Sequence, residues 1–137
     1  MAQRLGIGEG VRPSNTIFDI CYKNEDLNDP LINDHHAVAL GLATYGELEK
    51  MYSLTGKINE VLTGVFRKAG IDLVDFKIEF GKLPDGEIIL SDEITPDSAR
   101  FWDIATGDRL DKDRFRGDLS RVGEAYRTVY ERLENVK

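Results

Sequence analysis

Leu73-Val74-Asp75-Phe76-Lys77-Ile78-Glu79-Phe80-Gly81 is the stretch on which the fold turns. Apolar and charged residues alternate through it, and a period of two predicts a strand, Leu73 to Phe80, with one covered face. Val74, Phe76, Ile78 and Phe80 then share the apolar face, and Asp75, Lys77 and Glu79 share the opposite one. Something has to cover the apolar side. Just upstream, Leu48, Met51, Leu54, Ile58, Leu62, Val65 and Ala69 recur at steps of three and four, which predicts one long helix with a single apolar face. Thr44 followed by Glu47 gives that helix a capping box, and Gly70 is placed to end it in a left-handed conformation. Its Met and Phe residues read as core.

Downstream, Lys82-Leu83-Pro84-Asp85-Gly86 predicts a turn and Glu87 to Ile94 an antiparallel partner strand. In one register Gly81 pairs with Ile88, which sets Lys77 opposite Asp92 on the charged face. A slip of one residue would turn Asp92 away. A polar segment follows, containing Thr95-Pro96-Asp97 and Trp102-Asp103. The chain then returns to helical pattern, first near Asp111 to Arg116 and then from Leu119 to Leu133. Val122, Ala125, Tyr126, Val129, Tyr130 and Leu133 lie on one side of that last helix. Upstream, Gly6-Ile7-Gly8-Glu9-Gly10 reads as a loop, Thr16 to Tyr22 as a strand, and Lys23 to Pro30 as a polar connection. The expected class is α+β: an antiparallel sheet packed against a long helix and C-terminal helices, as one domain over residues 1–137.

The bulk numbers exclude several functions. Hydrophobic residues make up 41% of the 137, enough for one real core and too many for a disordered chain. A net charge of −7 argues against nucleic acid as a partner, since that needs a basic footprint. No apolar run approaches the roughly 20 residues of a bilayer span, so no membrane partner is expected. The single cysteine, Cys21, cannot form an internal disulfide, which suits a reducing, cytoplasmic compartment; it reads as a small buried apolar residue. His35-His36 reads as a helix start or surface pair, because adjacent side chains point apart and a metal needs further ligands. Tyr22, Phe101 and Trp102 read as core or pocket wall.

The charged face carries the chemistry. Minus, plus, minus along one strand is either a solvated face whose charges offset one another or half of a site. If Asp92 stands beside Lys77, then Glu79 and Asp92 form a carboxylate pair next to a lysine. Magnesium bound to nucleotide phosphates takes that ligand set: one or two carboxylates, with phosphate and water completing the shell. Lys77 would offset charge on a phosphate or carboxylate substrate. Arg100 follows a turn, where its guanidinium suits either bidentate phosphate binding or an ordinary surface ion pair.

With these residues assembled, LVDFKIEFG (Leu73 to Gly81), LSDEITPDSARFWD (Leu90 to Asp103) and DKDRFR (Asp111 to Arg116) closely resemble the SAICAR synthetase family. RLGIGEG (Arg4 to Gly10), YKN (Tyr22 to Asn24) and DPLIN (Asp29 to Asn33) agree in order and spacing. The resemblance implies an ATP- and magnesium-dependent carbon–nitrogen ligase of purine biosynthesis, joining L-aspartate to carboxyaminoimidazole ribonucleotide and releasing ADP and phosphate. It implies phosphoryl transfer to the ribonucleotide carboxylate, followed by attack of the aspartate amine. It also implies roles: Lys77 and Asp75 at the reacting carboxylate, Glu79 and Asp92 on metal and ATP phosphates, Arg100 on the ribonucleotide phosphate, and Asp97 near its base. Lys112 and Arg116 fall in a family motif and group with the substrate-binding residues, without an individual role.

Family members carry in addition an N-terminal, β-rich lobe with the loop that covers the ATP phosphates, and no glycine-rich phosphate loop occurs here. The resemblance therefore implies a C-terminal part, weak or inactive by itself, that works as a homo-oligomer or with a separate N-terminal lobe. The other reading is a non-catalytic nucleotide- or ribonucleotide-binding or assembly module derived from the same enzyme.

Overall fold

The computed structural model describes residues 2–8, 10–111 and 122–136. Two compact units divide the chain at Leu48 and Glu49.

The first unit opens on a 3-10 turn, Ala2–Leu5, that leads into the glycine loop, where Gly6 and Gly10 both have positive φ. Arg4 grips both carboxylate oxygens of Asp19 at 2.7 Å. The expected strand from Thr16 to Tyr22 shortens to β1 (Ile20–Cys21), which pairs antiparallel with β2 (Leu31–Ile32) inside the DPLIN motif. Cys21 is exposed there, against the expectation of burial: β1 is part of a two-stranded ribbon in which Ile20 takes the more covered side. The polar connection holds a second 3-10 turn, Glu25–Leu27, capped by Asn24 and closed by the left-handed Asn28. His35 and His36 start α1 (Asp34–Ala39), whose N-cap Asn33 accepts the N–H of His36 at 2.9 Å. His35 Nδ1 lies 2.6 Å from the Tyr45 hydroxyl. The capping box forms as expected: Thr44 N–H donates to Glu47 Oε2 at 2.7 Å, and Glu47 N–H returns a bond to Thr44 Oγ1 at 3.2 Å. It opens α2 (Tyr45–Lys68).

In the second unit α2 ends where Gly70 takes φ +71°. The chain turns into β3 (Ile71–Phe76), continues through β4 (Phe80–Lys82), β5 (Ile88–Leu90) and β6 (Ala99–Asp103), and finishes on α3 (Val122–Glu134). Strands β3 and β6 pair antiparallel, and so do β4 and β5. Phe66 of α2, Ile71 and Leu73 of β3, Ala99 and Phe101 of β6, Leu110, and Val129 of α3 form the core, with Leu62, Ala69, Phe76, Ile94 and Leu133 at its margin. Helices and strands sharing one core are the expected α+β class, built among the described residues from small separate antiparallel ribbons.

Three expectations are corrected. The strand from Leu73 to Phe80 stops at Phe76, and its partner is β6, not the segment Glu87 to Ile94. The segment Ala99 to Asp103, read as part of a polar connection, is a core strand: Ala99 and Phe101 point inward while Arg100 points out. The hairpin forms through its turn, but Phe80 pairs with Leu90 and Gly81 with Ile89, one residue away from the register that faced Lys77 with Asp92. On the helices, Val65 and Tyr130 are exposed, and Phe66 takes the core position beside Leu62. Ile58 and Leu62 are half-buried and Phe66 is buried, so the covered face of α2 turns toward Phe66 near its C-terminal end.

Candidate functional site

The site begins with one extra residue. Ile71 and Leu73 are buried, so strict alternation would bury Asp75 as well. Between Leu73 and Asp75 the register against β6 shifts, leaving Val74 unpaired in a bulge. Val74 is accordingly exposed, not part of the apolar face. After the bulge Phe76 faces the core and Asp75 faces out, opposite Arg100. The spacing of apolar residues (71, 73, then 76) requires this, because a charged Asp75 in the core would cost several kcal/mol.

Arg100 and Asp75 are bound edge to edge. Arg100 Nε donates to Asp75 Oδ1 at 3.0 Å, and Nη2 lies 2.9 Å from Oδ2. Both side chains are half exposed, so the pair contributes little to stability, on the order of 1 kcal/mol or less. Its consequence is orientation: a two-point contact fixes the plane of both groups. The β3·β6 pairing continues one step further, with Lys77 N–H donating to Ser98 C=O at 2.7 Å. Lys77 Nζ then stands 3.7 Å from Glu79 Oε1. Asp75, Lys77 and Glu79 therefore do not share a flat strand face, since Lys77 to Glu79 link two different ribbons.

The structure brings Asp75 to Arg100 and Lys77 to Glu79. It does not pair Lys77 with Asp92. Asp92 is exposed and caps its own turn, its Oδ1 accepting the Glu93 N–H at 3.0 Å. Ser91 N–H donates to Glu79 C=O at 2.9 Å, so the backbones carrying Glu79 and Asp92 run side by side. Among the described residues no three or more His, Cys, Asp or Glu side chains cluster as a metal cage. Two hard carboxylates on adjacent backbone are still what magnesium uses when phosphate and water supply most of its shell.

Before β6, Thr95 to Ser98 form a closed turn: Ser98 N–H and Oγ both donate to Thr95 C=O, and Thr95 N–H donates to Ser98 Oγ at 3.0 Å. Asp97 sits in this turn and receives the Tyr126 hydroxyl on Oδ1 at 2.8 Å. Desolvation, this hydrogen bond, and the charges of Asp97 and Asp111 push the Tyr126 phenol up to about 12. At the end of β6, Asp103 Oδ1 accepts the N–H groups of Ala105 and Thr106, and its Oδ2 binds Arg132 of α3. Chiefly through Arg132, then the Thr106 N–H, the Asp103 carboxyl is held below its ordinary range despite burial.

Asp111 is fully buried and accepts the Phe101 N–H at 3.0 Å, which braces β6 next to Arg100. Tyr126 and Asp111 were legible only as a core tyrosine and a motif letter, because nothing in local spacing shows a contact 29 residues away. Trp102 is half-buried, and its indole N–H has no partner among the described residues. Lys112 and Arg116 lie outside the described residues.

The SAICAR synthetase family model matches residues 1–133. A phosphoribosylaminoimidazole-succinocarboxamide synthase of Fusobacterium nucleatum subsp. nucleatum is 63% identical over the whole chain, which spans 58% of that relative's length. The crystal structure of the synthase from Ehrlichia chaffeensis superposes with a TM-score of 0.90 at 43% identity, covering 97% of this chain and 57% of that one. A SAICAR synthetase solved in complex with ADP gives the same TM-score at 46% identity and the same coverage.

Proposed function

Because the chain belongs to the SAICAR synthetase family, we propose that it supplies the acidic and cationic half of a ligase site that joins L-aspartate to carboxyaminoimidazole ribonucleotide at the expense of ATP. The observation that carries this reading is the Asp75–Arg100 contact beside Lys77 and Glu79. It sets a fixed guanidinium on β6 against a carboxylate on β3, with an ammonium and a second carboxylate just beyond β3, as a reaction between two carboxylate substrates and a triphosphate demands.

Each side chain has a task in that reaction. Arg100 uses Nε and Nη2 on Asp75, and its Nη1 edge remains to donate to the ribonucleotide phosphate. Asp75, held in a fixed plane, and Lys77 address the reacting carboxylate, where the ammonium offsets the charge that would repel an incoming phosphoryl group. Asp97 lies in the turn before β6, where it can accept from the base. Glu79 and Asp92 would hold magnesium with the ATP phosphates, and the ion would supply neutralisation of phosphate charge. Lys112 and Arg116 belong to the substrate side of the same proposal. The working site is cytoplasmic in this reading, as a homo-oligomer or with a separate N-terminal lobe that covers the nucleotide.

A coupled assay for ADP release, with ribonucleotide, L-aspartate, ATP and magnesium, tests the proposal. Turnover is expected when a separately expressed N-terminal lobe of a family member is added, and weak or no turnover from the chain by itself. A binding-only result, with ribonucleotide and nucleotide held but no ADP released in either mixture, would favour the non-catalytic module.

A further inference from the structure

Asp97 stands in a turn whose backbone is closed by its own hydrogen bonds, yet its carboxylate has a single side-chain partner among the described residues, the hydroxyl of Tyr126. That tyrosine is well seated. Its neighbours Ala125 and Val129 are buried, and Arg132, two turns further along α3, is tied to Asp103 and to the Gly70 carbonyl. The phenol therefore arrives at Asp97 from a helix fixed in the core, not from a mobile loop.

We propose that Tyr126 is a positioning residue for Asp97, holding that carboxylate as an acceptor for an N–H or O–H donor on the ribonucleotide. The inference rests on the reading of Asp97 as a substrate-side residue. A tyrosine hydroxyl has one proton, and here it is given to Oδ1, so Oδ2 keeps its lone pairs for the ligand. The phenol stays neutral in the physiological range, because burial and two neighbouring carboxylates disfavour the phenolate. The pair thus keeps one polarity: Tyr126 gives and Asp97 takes. A ligand presenting an amino or hydroxyl group is accepted, and one presenting a carbonyl oxygen in that place meets a lone pair and is rejected.

Calorimetry on the purified chain tests this, with 5-aminoimidazole-4-carboxamide ribonucleotide as the probe and inorganic phosphate as the control. Tyr126→Phe keeps the ring and removes the proton, and should weaken ribonucleotide binding about tenfold while leaving phosphate binding unchanged. Asp97→Asn should show a similar loss, and the double variant no more than either single one, as expected of groups acting through one contact. Losses that add in the double variant would overturn the inference. So would Tyr126→Phe binding within twofold of the unsubstituted chain while Arg100→Gln binds weakly; that outcome leaves the functional reading standing. Failure of the unsubstituted chain to bind the ribonucleotide at all would remove the functional reading and this inference with it.

Discussion

Arg100 holds Asp75 by two nitrogens across a β-bulge, Nε on Oδ1 at 3.0 Å and Nη2 against Oδ2 at 2.9 Å. The bulge and the ion pair are one device. Were Val74 paired in a regular ladder, β3 would present Asp75 to the core and Phe76 to solvent. With the bulge, the strand buries its apolar residues and still points a carboxylate at an arginine from the neighbouring strand.

A lysine at position 100 keeps the charge and loses the fork. Arg100→Lys should therefore melt within about 1 kcal/mol of the unsubstituted chain, as expected of a half-exposed pair. Its affinity for the ribonucleotide should fall about tenfold or more, since orientation is lost with the second hydrogen bond. Thermal denaturation and calorimetry read the two quantities separately. Full affinity in Arg100→Lys would show that the guanidinium geometry has no part in binding.

Deleting Val74 tests the bulge itself. The shortened strand would pair without a bulge, with Leu73 and Phe76 still inward and Asp75 still outward, so the chain should lose only about 1 kcal/mol or less. Val74→Thr changes only an exposed β-branched side chain and should be nearly neutral. Denaturant titration of both variants checks this; a loss of about 3 kcal/mol or more on deletion would mean that the fold depends on the bulge itself and not only on the register it corrects.

The same bulge explains which parts of the site were legible beforehand. Alternation found the strand and its charged residues, and the helical period with its Thr44–Glu47 box found α2 from end to end. Neither signal contains the phase slip at Val74, because a bulge depends on the partner strand and Asp75-Phe76 reads the same with or without it. The partner was missed for a related reason. Ala99-Arg100-Phe101-Trp102-Asp103 alternates correctly, but two charges in five residues and the flanking turn made it look like connection. Arg100 is charged because it faces the site, and Asp103 because it closes on Arg132. The family motifs named Asp97 and Arg100, and long-range geometry alone supplies Tyr126.

Arg132 and Asp103 form the contact that seats α3 on the end of β6. Removing the guanidinium leaves a buried carboxylate with only backbone donors, so Arg132→Ala should cost about 2 kcal/mol. The pH sign follows from the lowered Asp103 carboxyl. In the folded chain it stays ionised at pH values where the unfolded chain has already taken up a proton. Its stabilisation is present above the ordinary carboxylate range and is lost as pH falls through the lowered value. Acid titrations of the unsubstituted chain and Arg132→Ala, followed by circular dichroism, should show a shallower acid loss in the variant. Parallel curves would mean that the pair contributes nothing to acid stability.

Gly70 ends α2 with φ +71°, and a Cβ there would meet nothing closer than Arg132 Nη1 at 3.8 Å. Space is available, so the cost of Gly70→Ala is backbone strain alone, about 1 kcal/mol. Gly123, inside α3, has nothing within 4 Å of an added Cβ and no positive φ, so Gly123→Ala should instead stabilise by up to about 1 kcal/mol. Melting both variants side by side isolates the effect of φ; destabilisation of equal size in both would contradict it.

The metal assignment can be tested by a change of sign. Two carboxylates beside nucleotide phosphates attract them only when a cation stands between; without the cation the same charges repel. With magnesium present, Glu79→Ala and Asp92→Ala should each weaken ADP binding about tenfold. In EDTA the order should reverse or close up, both variants binding ADP as well as the unsubstituted chain or better. Calorimetry in the two buffers compares each variant with the unsubstituted chain twice. A loss of affinity that persists unchanged in EDTA would mean that the residue supports the fold or the nucleotide directly. No loss in magnesium would remove it from the metal role. The two residues need not respond equally: Glu79 is held beside Lys77 Nζ, whereas Asp92 is exposed and caps its own turn. Asp92→Asn retains the capping oxygen and removes the charge, so it should reproduce the alanine effect on magnesium-dependent binding while keeping the turn.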